Sequence, residues 1–507
     1  MTGISPDPEF LLTAEEAFPA LERMFLDAQD EISGGFRIFD PDTKLRHASD
    51  VGETWFDLIA HTLARGVRIR MVLADFDPIA APALHRMAWC AVRQWRAAAE
   101  ASGQPDLLDI RAALHPARVG LGSRMLLLPV IQSYLRKERR RLAALPQKER
   151  DTAIRDMPGL RPWLESGVLS RPTILPPLHP ATHHQKLAVM DRSRLFIGGI
   201  DVNNRRYDTL DHARAAKSTW HDVAVIVEGP VVAEACAHLD TFVAVSRGER
   251  PPPSHQHLLT TLSQAQPGSP RGLSPRPVVD TLYQATLAEI ARADHLIYLE
   301  TQFFRDQRLA RALAEAARAK PDLSLVLILP AAPEDVAFHG SEGPDARYGE
   351  HLQAKAVEVV RRAFGPRALI GSPVQPRRKD SDARDTAEGA PLIYVHAKLS
   401  IFDNARAIVS SGNLNGRSME WDTEAGVCLT RRDDVERLSA RAYRHWFGQE
   451  LTAAEMAPAA AARVMADAAV ANAARPPEDR DGFIVPYDRR PARRFGWHLP
   501  FIPPQMV

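Results

Sequence analysis

Residues 184–191 read His-Gln-Lys-Leu-Ala-Val-Met-Asp, and residues 396–403 read His-Ala-Lys-Leu-Ser-Ile-Phe-Asp. The His, Lys, Leu and Asp positions coincide, and the alignment continues without a gap to Arg205 and Arg417. A single His-x-Lys pair is common on surface strands, but two copies in register over this length indicate an internal duplication. The chain is therefore predicted to consist of two similar halves.

The repeated His-x-Lys pair suits chemistry at a phosphodiester. Residues two apart on a strand point to the same face, so His184 should lie beside Lys186, and His396 beside Lys398. If the halves face each other, two imidazoles and two ammonium groups surround one cavity. The lysines would neutralise phosphate oxygens, while one imidazole attacks phosphorus and the other protonates the leaving oxygen. Because the positive charges are already present, we predict no metal and no cofactor.

Strand and helix patterns also repeat around the two motifs. The predicted strands are 31–40, 66–75, 295–304 and 323–330, and the helices between them are 54–65 and 308–319. Strands that alternate with helices indicate βαβ units. We therefore predict an α/β fold of two similar α/β-sandwich halves, each a mixed sheet flanked by helices. A pseudo-twofold duplication would relate the halves, with one active site at their interface.

Composition divides the chain further. Residues 1–250 form the predicted N-terminal half, with an insertion at about 102–180 ahead of its motif. A stretch rich in Pro, Gln and Ser predicts a linker at 251–276. The C-terminal half follows at 277–474, and a Pro/Arg-rich tail occupies 475–507. We expect the aromatic end of this tail to pack against the body of the protein.

The motifs resemble those of the phospholipase D superfamily. Its pattern is His-x-Lys-x4-Asp, followed after six residues by Gly-Gly or Gly-Ser and then by Asn or Asp two positions on. The first copy continues with Gly-Gly-x-Asp201 and the second with Ser-Ser-x-Asn413, where Ser410 departs from the usual glycine. The resemblance extends from about Phe36 to about Phe447.

The resemblance implies a role for each site residue. His184 would be the nucleophile that forms a phosphohistidine, and His396 the general acid and then the general base. An acidic residue downstream in each half would hold that half's imidazole, which assigns Asp222 to His184 and Glu424 to His396. Asp201 would repel phosphate if ionised, which favours anchoring of a lysine or of the loop. The substrate-binding set is Asn413, Asp201, Ser411, Gln302 and Glu300, and the structural set is Asp191 and Asp403.

Some features favour phospholipase D proper within this superfamily. Residues 297–304, Ile-Tyr-Leu-Glu-Thr-Gln-Phe-Phe, resemble the Tyr-Ile-Glu-Asn-Gln stretch of phospholipases D. Cardiolipin synthases usually open with membrane-spanning helices, and no stretch here reaches that length. Residues 125–145 begin apolar and continue into a basic run at 136–141. Such a pattern is typical of a helix on an anionic membrane surface, or of a core helix with a solvated basic end.

The leading hypothesis is a phospholipase D that hydrolyses glycerophospholipids to phosphatidic acid, or transfers their phosphatidyl group to an alcohol. The alternatives are a phosphodiesterase or nuclease acting on a non-lipid diester, and a non-enzymatic peripheral membrane-binding protein. We expect a phospholipid substrate at a membrane surface and a monomeric protein.

The charge balance, the cysteines and the N-terminus of the chain bear on its binding partners and its cellular location. The 64 Lys and Arg nearly balance the 63 Asp and Glu, for a net charge of +1, which does not favour nucleic acid. Three separated cysteines and no Cys/His cluster indicate neither a zinc site nor a disulfide framework. The N-terminus has no pattern of a secretory signal. We therefore expect a cytoplasmic or peripheral membrane protein, with export by a signal-less route as the open alternative.

Overall fold

The computed structural model describes residues 3–165, 168–169, 175–266, 272, 275–381, 383–500 and 502–507. It contains two large mixed sheets, of seven and nine strands, with helices packed on them.

The N-terminal half alternates strands and helices. Its strands are β1 (Glu9–Leu12), β2 (Glu31–Phe36), β3 (Arg68–Ala74), β4 (Leu108–Ala113), β5 (Leu164–Glu165), β6 (Val168–Leu169), β7 (Lys186–Met190), β8 (Arg194–Gly198) and β9 (Val223–Glu228). Its helices are α1 (Thr13–Asp27), α2 (Trp55–Ala64), α3 (Pro82–Ala101), α4 (Leu121–Leu126), α5 (Leu128–Ala143), α6 (Gln147–Arg155) and α7 (Pro230–Arg247).

The C-terminal half repeats this alternation. Its strands are β10 (Leu258–Gln264), β11 (Arg276–Asp280), β12 (Leu296–Thr301), β13 (Ser324–Ile328), β14 (Ala368–Pro373), β15 (Thr386–Ala387), β16 (Ala390–Pro391), β17 (Lys398–Phe402), β18 (Arg406–Ser410), β19 (Glu424–Leu429) and β20 (Ile484–Pro486). Its helices are α8 (Thr281–Arg292), α9 (Gln307–Ala319), α10 (Glu334–His339), α11 (Pro344–Phe364), α12 (Gly416–Glu420), α13 (Arg432–Phe447), α14 (Ala453–Met456), α15 (Pro458–Ala473) and α16 (Arg490–Phe495).

The two sheets share one topology. The first has the order β1-β9-β8-β7-β2-β3-β4, and the second has β11-β10-β19-β18-β17-β12-β13-β14-β20. Seven strands therefore correspond one to one, from β1 with β10 to β4 with β14, and the second sheet adds one strand at each edge. Strands β2, β3 and β4 are parallel to one another in the first sheet, and β12, β13 and β14 are parallel to one another in the second. The prediction of two similar α/β halves is confirmed.

Both faces of the central strands of each sheet are buried, which explains the nearly continuous apolar character of these strands. In β9, Val223, Val225 and Val227 join the core that the two halves share. The alternating Ala224 and Ile226 join the outer core of the N-terminal half, beneath its helices. Because side chains alternate across a strand, this single sequence run contributes to two layers.

The helices that follow β2 and β12 begin where local capping predicts. Thr54 and Asp57 form a capping box at the start of α2. At the start of α9, the Asp306 carboxylate accepts hydrogen bonds from the backbone N–H groups of Arg308 and Leu309. The predicted helices 54–65 and 308–319 thus form within one residue of their expected bounds.

The halves meet through β8 and β9 on one side and β18 and β19 on the other. Two parallel β-bridges cross this interface, His183 with Thr423 and His221 with Val395. The first bridge joins the residues before β7 to the residue before β19. The second joins the residues before β17 to the residues before β9. The interface therefore brings both motifs to the same place.

The predicted linker 251–276 is wrong in one respect, because it contains β10. This strand lies between β11 and β19, where Leu258 pairs with Val427. Leu258 and residues 260–263 are buried, so this strand lies inside the protein although its neighbourhood is rich in Pro and Gln. The C-terminal half therefore begins at β10 rather than at residue 277. Residues 267–271 and 273–274 of the predicted linker lie outside the described residues.

The tail packs on the body of the protein, as predicted. Its strand β20 pairs antiparallel with β14 at the edge of the second sheet. The Trp497 N–H donates to the Arg347 carbonyl at 3.0 Å, and the Tyr348 hydroxyl donates to the Ile502 carbonyl at 2.8 Å. Phe501 lies outside the described residues.

The insertion at about 102–180 contributes helices α4 to α6. The stretch 125–145 is divided at Leu127, just before the helix start at which Pro129 lies. Ile131, Leu135 and Leu142 are buried in a satellite core. Residues 166–167 and 170–174 of the insertion lie outside the described residues. In the part of the chain that the structure describes, none of the helices combines the length and apolar character needed to cross a membrane.

Candidate active site

The two motif histidines immediately precede β7 and β17, and each is fixed by the opposite half. The His184 N–H donates to the Thr423 carbonyl at 2.9 Å, and the His396 N–H donates to the His221 carbonyl at 2.7 Å. These backbone bonds cross the interface between halves. They place both imidazoles at one cavity, whose lining includes both residues.

The carboxylates that hold the imidazoles are exchanged between halves. His184 Nδ1 lies 3.0 Å from Glu424 Oε1, and His396 Nδ1 lies 2.6 Å from Asp222 Oδ2. The expected pairing of each histidine with the acid of its own half is therefore wrong. The reason is that Asp222 and Glu424 lie at the starts of strands that contact the opposite half, since β9 contacts β18 and β19 contacts β7 and β8. With Nδ1–H bonded to a carboxylate, Nε2 of each ring is the nitrogen available to a substrate.

The motif lysines lie against their own histidines. Lys186 Nζ donates to the His184 carbonyl, and Lys398 Nζ donates to the His396 carbonyl. Lys398 Nζ is also 2.9 Å from His396 Nδ1. Neither lysine is among the residues that line the cavity. Their contact with phosphate therefore stays a prediction, while their positive charge next to both rings is a feature of the structure.

Burial controls the protonation of this group. It lowers the pKa of His184 and His396 well below the ordinary value, and the neighbouring lysines lower both further. Burial raises the pKa of Glu424 to about 8 and that of Asp222 to about 6, although the lysines oppose both shifts. Burial also lowers the pKa of Lys398 to about 7. An entering anion would favour the protonated forms of the lysine and the imidazoles.

The cavity at the histidines has a volume of about 370 Å³. Three arginines line it, Arg37, Arg206 and Arg417. Arg206 lies over the Trp220 ring at 3.8 Å from its centroid, and Trp220 packs on His396 with ring centroids 4.6 Å apart. The stack of guanidinium, indole and imidazole fixes the plane of the His396 ring. Guanidinium groups at the wall suit an anionic phosphate substrate.

The predicted substrate-binding residues divide into two groups. Asn413 and Gln302 line the cavity. The other three are not among the residues that line it, so their contact with substrate stays a prediction. The Ser411 hydroxyl donates to Glu424, and the Asp201 carboxylate accepts from the Ile38 N–H at 2.9 Å, so both act as anchors.

Glu300 is the third of these residues. It is buried, accepts a hydrogen bond from the Tyr298 hydroxyl at 2.7 Å and lies 3.0 Å from His221 Nε2. These contacts occupy both carboxylate oxygens away from the cavity, and the one to His221 crosses the interface between the halves.

The two motif aspartates make equivalent hydrogen bonds to the backbone. The Asp191 carboxylate accepts hydrogen bonds from the N–H groups of residues 29, 30 and 31 at 2.9 Å each. The Asp403 carboxylate accepts from the N–H groups of residues 294, 295 and 296 at 2.7 to 2.8 Å. Each aspartate therefore ties the turn after its motif strand to the start of the neighbouring strand, β2 or β12.

Sequence reasoning missed several residues of the cavity wall. Asn415 and Arg417 repeat Asn203 and Arg205, so the duplication itself carried a signal for them. The Arg417 guanidinium donates to the Asp422 carboxylate at 2.9 Å, which orients it at the wall. No comparable sequence signal marks the other arginines or Trp220, because their positions depend on tertiary packing.

One group of side chains in the described residues has the spacing to hold a metal ion. It consists of His212, His221 and His445. None of the three lines the cavity. The catalytic constellation itself is a set of imidazoles, cations and carboxylates that can bind an anion and transfer protons.

Comparison with known proteins supports the resemblance that the paired motifs predict. A family model described as "Cardiolipin synthase, PLD-like domain" matches residues 286–446. Phospholipase D1 of Schizosaccharomyces pombe is 25% identical over 50% of this chain and 25% of its own length. Phospholipase D alpha 1 of Oryza sativa subsp. japonica is 21% identical over 49% of this chain and 45% of its own length. The chain thus matches less than half of the length of these relatives.

A solved structure extends the agreement to the fold. The phosphatidylserine synthase of Haemophilus influenzae Rd KW20 superposes with a TM-score of 0.52 at 11% identity, over 88% of this chain and 86% of that chain. This likeness shows a shared fold. Together with the sequence matches, it confirms the resemblance that the paired motifs predict.

Proposed function

We propose that this chain, a member of the phospholipase D superfamily, cleaves the distal phosphodiester bond of glycerophospholipids. The observation that carries the proposal is the pair of imidazoles at one cavity, each held at Nδ1 by a carboxylate of the opposite half. Two such rings supply a nucleophile and a proton donor on either side of one phosphorus atom.

The proposed reaction has two steps. His184 Nε2 attacks phosphorus, the bond from phosphorus to the head-group oxygen breaks, and His396 gives its Nε2 proton to that oxygen. Neutral His396 then takes a proton from water or from an alcohol, whose oxygen attacks phosphorus and displaces His184. The products are the head-group alcohol and phosphatidic acid, or a new phospholipid when an alcohol attacks. Arginines and lysines stabilise the negative charge of the transferred group in both steps.

A second, more apolar cavity supports a lipid substrate. It has a volume of about 710 Å³, and it shares Ala80, Ala81 and Leu84 with the lining of the catalytic cavity. Met87 and Tyr134 contribute further apolar surface. A diester site that continues into an apolar groove is suited to a head group with acyl chains attached.

The insertion supports contact with a membrane. Around the ends of α4 and α5 several large apolar side chains are exposed, with Leu126 84% and Met125 63% exposed. We call this surface the insertion patch; its apolar members are Leu121, Met125, Leu126, Leu128, Val130 and Tyr134. Exposed basic residues follow on α5, at Arg136, Lys137 and Arg140. This combination fits an anionic lipid surface, and Tyr134 connects it to the apolar cavity.

Product analysis tests the proposed reaction. The protein is incubated with vesicles of a mixed phospholipid extract, with and without ethanol, and the products are identified by mass spectrometry. We expect phosphatidic acid, and phosphatidylethanol when ethanol is present, with both lost in His184→Ala and retained in the exposed control His61→Ala. Unchanged activity of His184→Ala would overturn the mechanism. Cleavage confined to nucleic acid or other soluble diesters would replace the lipid by a non-lipid substrate.

A variant of the insertion patch separates membrane contact from chemistry. The double substitution Met125→Ser with Leu126→Ser should weaken sedimentation with anionic vesicles and slow hydrolysis of vesicle phospholipid. Hydrolysis of a short-chain phospholipid below its micelle concentration should be unchanged, since both side chains are exposed. Equal vesicle binding by wild type and variant would refute the role of the patch and leave the diesterase proposal standing.

A further inference from the structure

Three histidines that are far apart in the sequence come together beside the active site. His212 and His221 belong to the segment between β8 and β9, and His445 lies in the last turn of α13. One ring nitrogen of each lies within 4.8 Å of those of the other two. The sequence contains no local Cys/His cluster, and these three histidines come together only when the halves pack.

Two of these imidazoles are already oriented by carboxylates. His212 Nδ1 lies 2.7 Å from Asp208 Oδ2, and His221 Nε2 lies 3.0 Å from Glu300 Oε2. Each carboxylate fixes one ring nitrogen as the N–H donor and leaves the other with its lone pair directed elsewhere. A carboxylate on the far nitrogen is the usual support of a histidine that binds a metal.

The other ring nitrogens of the cluster either lack a partner or lie close to one another. His221 is 1% exposed, and its Nδ1 has no hydrogen-bond partner among the described residues. His212 Nε2 lies 3.0 Å from His445 Nε2. Two nitrogens bound to one tetrahedral zinc ion at about 2.0 to 2.1 Å lie about 3.3 Å apart, which is close to the separation of His212 Nε2 and His445 Nε2. An ion there would also satisfy the buried Nδ1 atom, which is costly to leave unpaired.

We propose that His212, His221 and His445 bind one divalent transition-metal ion of the zinc type. Imidazole is a preferred ligand of Zn²⁺, and metal binding requires its neutral form. The cluster lies among aromatic side chains, with the His212 ring stacked on Trp446 at a centroid distance of 5.8 Å.

The site is structural and joins the two halves. Two ligands come from the N-terminal half and one from the C-terminal half. The carbonyl of His221 accepts the backbone hydrogen bond of His396, and the next residue, Asp222, bonds to the His396 ring. An ion on His221 would therefore hold the backbone that positions His396, without touching the substrate. The three histidines are positioning residues.

Metal binding to the full-length protein tests the proposal. The chain is freed of metal with a chelator and titrated with Co²⁺, whose visible absorption reports nitrogen ligands, and zinc content is measured after dialysis against Zn²⁺. We expect about one ion per chain in wild type and in the exposed control His61→Gln. His445→Gln should weaken binding about 100-fold or more, and Asp208→Asn about 10- to 100-fold.

Thermal unfolding gives a second readout. Zn²⁺ should raise the midpoint of wild type and His61→Gln but not of His445→Gln, because an ion that binds only the folded state stabilises it. A wild-type protein that shows neither a cobalt spectrum nor a zinc-dependent midpoint would overturn the proposal, whatever the folding of the variants. Equal binding by wild type and His445→Gln would overturn it as well.

Discussion

Replacing Asp222 by asparagine and Glu424 by glutamine should impair different steps of the proposed reaction. Asp222 holds His396, which would protonate the leaving group, and Glu424 holds His184, which would attack phosphorus. A pairing within each half would exchange these effects. The two variants therefore report directly on the crossed arrangement.

The two hydrogen bonds indicate how much the reaction rate should fall in each variant. Both contacts are buried and join an imidazole N–H to a carboxylate, at 2.6 Å for Asp222 and 3.0 Å for Glu424. Hydrogen bonds to charged groups contribute about 1.5 to 3 kcal/mol. At 1.36 kcal/mol for each factor of ten, removing one should slow the step that depends on it about 10- to 150-fold. The shorter Asp222 contact should lie towards the upper end.

The assay compares two leaving groups in the first step. Rapid-quench release of choline from phosphatidylcholine requires protonation of the leaving oxygen, whereas release of p-nitrophenol from the matching ester does not. The burst rate of Asp222→Asn should fall on the choline substrate and stay near wild type on the p-nitrophenyl substrate. The burst rate of Glu424→Gln should fall on both, because nucleophilic attack is needed in each case.

Exposed acids provide the controls, and Asp50→Asn and Glu249→Gln should leave both burst rates unchanged. The opposite pattern would refute the reasoning: rescue of Glu424→Gln by the better leaving group, with Asp222→Asn impaired on both substrates. That result would mean either that His184 is the proton donor and His396 the nucleophile, or that each acid serves the imidazole of its own half. Loss of folding, checked by circular dichroism, would be separated from loss of chemistry by titrating the burst amplitude.

Further predictions concern charge, anchoring and space. The pKa of Lys398 is about 7, so its ammonium is present below neutrality and lost above it. The value of kcat/KM for an anionic diester should therefore fall as pH rises through 7. Bound phosphate favours the charged form, so in pH profiles of both constants kcat should fall at a higher pH than kcat/KM. Asp191→Ala and Asp403→Ala each remove an acceptor of three backbone N–H groups, so urea unfolding should show a loss of about 1 to 3 kcal/mol while the specific activity of the folded protein is kept. A Cβ at Gly199 would collide with the Asp222 carboxylate, so Gly199→Ala should reduce choline release at least as much as Asp222→Asn does.

The duplication made the fold predictable from sequence. Two aligned motifs fixed the number of halves, and alternating strand and helix patterns fixed their class. The bounds of β2 were less predictable, because the strand ends at Phe36 although the predicted strand continues to residue 40. There the backbone leaves the sheet, and the Ile38 N–H bonds to the side chain of Asp201 instead. The local sequence does not show that a backbone N–H will bond to a distant side chain instead of to a neighbouring strand.

The site was predictable only as far as local spacing reached. His184 and His396 follow from the motif alone, whereas their carboxylate partners are set by how two sheets pack. A sequence pattern relates residues of one half to each other, so it assigned Asp222 and Glu424 to the wrong imidazoles. The three-histidine cluster was hidden for the same reason, since neither half contains it alone.

The crossed contacts explain why the duplication did not leave two equivalent sites. In the N-terminal half the motif is followed by Gly199, which makes room for the Asp222 carboxylate, while the corresponding Ser411 donates a hydrogen bond to Glu424. Asp201 is turned to a backbone amide, while the corresponding Asn413 lines the cavity. Because each acid serves the imidazole of the other half, every such difference changes the environment of the opposite ring. The distinction between nucleophile and proton donor can therefore arise from substitutions outside the motifs, with both His-x-Lys-x4-Asp copies kept intact.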